Sequence, residues 1–69
     1  MQQQKQIIMY WFASNVFSAP VCVQIKMAQR DEAKAKELFE NMFHPVQCHV
    51  IEKPSVAMKV LVVNEVWEL

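Results

Sequence analysis

Cysteine and histidine are the residue types in this chain that could support metal or nucleophile chemistry. The sequence has two of each, at Cys22, His44, Cys48 and His49. All four are zinc ligand types. Cys48 and His49 are adjacent on a predicted strand, so their side chains should point to opposite faces. Cys22, His44 and Cys48 could still meet, because His44 lies in a predicted loop. We expect two reduced, half-buried thiols, with no metal site and no cofactor.

Cys48 with His49 or His44 is the one candidate pair of nucleophile and base. Such a pair also needs an orienting group, and a substrate cleft is not implied by a chain this short. The sequence contains no glycine, which removes every glycine-rich phosphate loop from consideration. We therefore expect no enzymatic activity and no small-molecule substrate.

The charge balance bears on the choice between protein and nucleic-acid partners. Seven basic residues balance seven acidic ones, whereas proteins that neutralise many phosphates usually carry a basic excess. A net charge of zero favours association between proteins. The alternative is a nucleic-acid-binding module that uses a basic and aromatic sheet face. Its candidate residues are Lys26, Lys34, Lys36, Lys53 and Lys59, with Tyr10, Trp11 and Trp67. Lys26 and Lys59 lie in predicted strands.

The 69 residues predict a single domain over 1–69, with residues 1–5 as a flexible N-terminal tail. The fold class is α+β in the order β-β-α-β-β, with one amphipathic helix packed on a mainly antiparallel sheet. Strands are predicted at Gln6–Ser14, Val21–Met27, 46–52 and 57–67. A helix competes for residues 6–14, since Ile7, Ile8, Trp11 and Phe12 could share one helical face.

The helix is predicted over residues 30–43, with Asp31 or Gln29 near its start and Pro45 ending it at or before His44. Its apolar stripe should lie against one face of the sheet. The stripe consists of Ala35, Leu38, Phe39, Met42 and Phe43. The predicted core consists of Val23, Ile25, Leu38, Phe39, Met42, Val60 and Val62.

The second face of the predicted sheet carries too much apolar surface for one helix to cover. A 14-residue helix is about 21 Å long and shields one face of four short strands. The first strand is apolar on both faces, and so is the last. We therefore expect a surface that binds a partner and uses the two tryptophans as anchors. The expected partner-binding residues are Trp11, Ile51, Leu61, Val63 and Trp67.

These patterns predict a small non-enzymatic protein-interaction module. It should self-associate or bind a protein partner through the apolar sheet face or an edge strand, and a homodimer is the first expectation. The alternative within one chain is that the N-terminal segment folds across this face and closes the core. Small size and the lack of a catalytic motif favour an accessory or inhibitor protein of the phage or plasmid type.

The expected location is the cytoplasm, without membrane association. Two cysteines are fewer than disulfide-dependent secreted scaffolds of this size carry. No apolar run approaches the roughly 20 residues that a membrane span needs.

Overall fold

The computed structural model describes residues 4–44, 46–55 and 59–69 and has the predicted α+β fold. Residues 6–14 form a strand, so the competing helix prediction is wrong. One helix packs on a four-stranded sheet of order β3-β1-β2-β4. The elements are β1 (Gln6–Ser14), β2 (Val21–Met27), α1 (Glu32–Met42), β3 (Cys48–Ile51) and β4 (Leu61–Glu68).

The sheet is mixed, with two antiparallel pairings and one parallel pairing. β1 pairs with β2 and with β3 in antiparallel orientation, whereas β4 lies parallel to β2. The hairpin of β1 and β2 therefore occupies the centre, and the shorter β3 and the irregular β4 form the edges. Both edge strands are shorter than predicted, and residues 57–58 of the predicted last strand lie outside the described residues.

The start of α1 is tied to the sheet by hydrogen bonds around Asp31. The Asp31 carboxylate caps the helix by accepting a hydrogen bond from the Lys34 backbone N–H at 3.1 Å. The backbone N–H of Asp31 donates to the Tyr10 hydroxyl oxygen at 2.9 Å, and that hydroxyl lies 3.0 Å from the Met27 sulfur. The Arg30 guanidinium covers the Tyr10 ring at 4.6 Å. Tyr10 therefore fixes where the chain leaves β2 and enters the helix.

The core lies between α1 and one face of the sheet and is centred on aromatic rings. Phe39 stacks on Phe12 with ring centres 4.4 Å apart, and Phe43 lies 4.9 Å from Phe39. Trp67 closes the other side at 5.8 Å from Phe43. The buried cluster consists of Tyr10, Phe12, Val21, Val23, Ile25, Met27, Ala35, Phe39, Val46, Cys48 and Trp67.

The predicted core is confirmed for Val23, Ile25 and Phe39, which are fully buried. Leu38 and Val60 are half-buried. The prediction is wrong for Met42 and Val62, whose exposed fractions are 51% and 60%. Phe43 packs against both Phe39 and Trp67. At this end of the helix the core is therefore filled by Phe43 and not by Met42. Val62 lies on the sheet face away from the helix.

Replacing Phe39 with alanine should lower the free energy of unfolding by about 3–5 kcal/mol, because a buried aromatic ring is lost and a cavity remains. Met42→Ala is the matched control on the same helix, and its exposed side chain should cost about 0.5 kcal/mol or less. Urea unfolding followed by circular dichroism measures both values. Equal costs for the two variants would contradict the described helix face.

Candidate protein-interaction surface

The sheet face opposite α1 carries side chains from all four strands, and we call it the open face. Its members follow from the pairing register, which aligns Ile51, Trp11, Cys22 and Val62 in one row across the sheet. Met9, Gln24 and Val66 form the next row. The complete set is Ile7, Met9, Trp11, Ala13, Cys22, Gln24, Lys26, His49, Ile51, Val62, Val66 and Glu68.

The exposed apolar side chains of the open face lie on β1 and β4. Ile7 and Met9 on β1 are 56% and 43% exposed, and Val62 and Val66 on β4 are 60% and 45% exposed. Trp11 is half-buried beside them. Scattered apolar residues are normal on a protein surface, but four exposed apolar side chains on the same sheet face are typical of an interaction site.

The polar side chains of the open face have a different distribution. Gln24 and Lys26 follow each other along β2, between the two apolar strands. Glu68 and His49 lie at opposite corners of the face. Charged groups at the border are usual in a protein–protein interface, whereas Gln24 and Lys26 lie between the apolar strands of this face.

The predicted orientation of β4 is wrong for all three of its predicted partner-binding residues, Leu61, Val63 and Trp67. Trp67 is 7% exposed and belongs to the core, and Val63 packs against that core. The register pairs Trp67 with Ile25, whose side chain faces the helix. Burying an indole removes more apolar surface from water than burying a valine, so this orientation is favoured. Leu61 is exposed, but it aligns with the buried Val21 and does not belong to the open face.

Trp11 and Ile51 lie on the open face, as the sequence pattern indicated, and they pair directly across β1 and β3. Their predicted role in partner binding stays a prediction. The prediction did not name Val62 and Val66 as binding residues. The alternation of β4 separates them from Val63 and Trp67, but alternation alone does not show which set meets the helix.

Residues 6–14 do not close the open face within one chain. β1 is a central strand, hydrogen-bonded to β2 on one side and to β3 on the other. Residues 6–14 are therefore part of the sheet and cannot lie across it.

Both edges of the sheet are poor templates for an added strand. β3 has four residues. β4 is irregular, because three residues lie between Val62 and Val66 where one lies between their partners Cys22 and Gln24. Short edge strands and bulges are common protections against edge pairing. β4 therefore has two more residues than β2 over this stretch. Because two is an even number, side chains before and after the irregularity keep the same alternation between the two faces.

The structure separates Cys22, Cys48 and His49 from one another. Cys48 lies in the core on the helix side, whereas Cys22 lies on the open-face side with β1 between their strands. Strands lie about 4.8 Å apart, so the two Cα atoms are too distant for a disulfide. His49 is on the face opposite Cys48 and cannot accept its proton. Residues 4–44, 46–55 and 59–69 contain no group of three possible metal ligands.

Both cysteines are free and buried. Burial raises the pKa of the Cys22 thiol above its ordinary value. Burial is also the main cause of the raised pKa of Cys48, and the negative charge of Glu40 adds to it while Lys36 opposes it. Both groups are therefore neutral thiols at pH 7, and neither is activated as a nucleophile.

The basic and aromatic residues considered for nucleic-acid binding do not share a surface. Tyr10 and Trp67 are in the core, so their rings cannot stack on bases. Lys59 precedes β4 and is not a strand residue. Lys34 and Lys36 lie on α1, and Lys53 follows β3. Of the eight residues in this set, Trp11 and Lys26 lie on the open face.

In the described part of the chain, no helix has the length and hydropathy needed to cross a membrane. No family model matches the chain, and neither a curated protein nor a solved structure is similar to it.

The two thiols should be protected in the folded protein. We expect a thiol reagent at pH 7.5 to modify both at least about tenfold more slowly than after unfolding, because they are buried and un-ionised. Fast labelling of the native protein would contradict their burial.

The raised pKa values also predict a dependence of stability on pH. The unfolded thiols ionise near 9, whereas the folded ones hold their protons to higher pH. Unfolding then releases protons, so stability is lost as pH rises above about 9, by at most about 1.4 kcal/mol per pH unit for each thiol. Urea unfolding at several pH values tests this, and a Cys22→Ala, Cys48→Ala variant should lose less over the same range.

Proposed function

We propose that this protein is a non-enzymatic interaction module whose open face binds a protein surface. The observation that carries the proposal is the set of exposed apolar side chains that β1 and β4 present on the sheet face opposite α1. Covering these side chains would remove apolar surface from water, which is the main driving force of protein association. Trp11 supplies a rigid aromatic anchor of the kind that is enriched in interface hot spots.

The face is favoured over the edges as the binding surface. The four-residue β3 and the irregular β4 each offer a poor hydrogen-bonding ladder. A partner can bind the open face without any change in the backbone of the sheet. A role as an accessory or inhibitor protein is compatible with this mode of action, because such a protein works by occupying a surface.

We also propose a reducing compartment, the cytoplasm, as the site of action. The support is that Cys22 and Cys48 are free and lie on opposite faces of the sheet, so the fold makes no use of oxidation.

Site-specific photo-crosslinking in cells that produce the protein tests the binding surface. A photoreactive phenylalanine analogue at Val62, which is exposed on the open face, should form adducts with protein. The matched control is the same analogue at Lys36, which is exposed on α1. We expect the yield of protein adducts from position 62 to be at least about fivefold higher than from position 36. The reason is that a side chain within an interface is packed against the partner.

The same experiment distinguishes the alternatives. Adducts that are digested by nuclease would overturn the proposal in favour of nucleic-acid binding. Equal adducts from both positions, or none from position 62, would also overturn it. The mass of a protein adduct shows whether the partner is a second copy or another protein.

A further inference from the structure

We draw no further inference here: the strongest candidate, the patch of exposed apolar side chains that β1 and β4 present on the open face, belongs to the binding surface already described, and nothing in the structure shows what covers it.

Discussion

One short helix has to cover a four-stranded sheet, and the rest of the structure depends on this constraint. α1 has 11 residues, so it is about 16 Å long and, with side chains, about 10 Å wide. Four strands span about 19 Å across the sheet. The helix therefore shields part of one face, and aromatic rings extend its cover. Phe43 and Trp67 meet beyond Phe39 and fill the space that a second helix would occupy.

The same constraint explains why β1 is apolar on both sides. Tyr10 and Phe12 point into the core and are fully buried, while Met9 and Trp11 point to the open face. A central strand with two apolar faces is typical of a sheet that is covered on both sides. This chain supplies cover for one side, and the other side keeps exposed apolar side chains on β1 and β4. The proposed function therefore arises from the sheet itself and requires no catalytic group.

The parts of the fold that depend on local sequence could be predicted, and the parts that depend on long-range pairing could not. β1, β2 and the Asp31 cap follow from alternation and from the preference of aspartate for helix starts. The alternation of β4 separates Val62 from Trp67 correctly. Which of them faces the helix is set by the parallel register with β2, which places Trp67 beside Ile25. No pattern within β4 contains that information, so its face was assigned wrongly and the binding surface was only partly identified.

Methyl NMR of the wild-type protein at increasing concentration tests most directly whether association covers the open face. Signals of Ile7, Met9, Val62 and Val66 should shift together with concentration, while that of the buried Ile25 should stay constant, because the core does not change on binding. Concentration-dependent shifts confined to the outer surface of α1 would contradict the account.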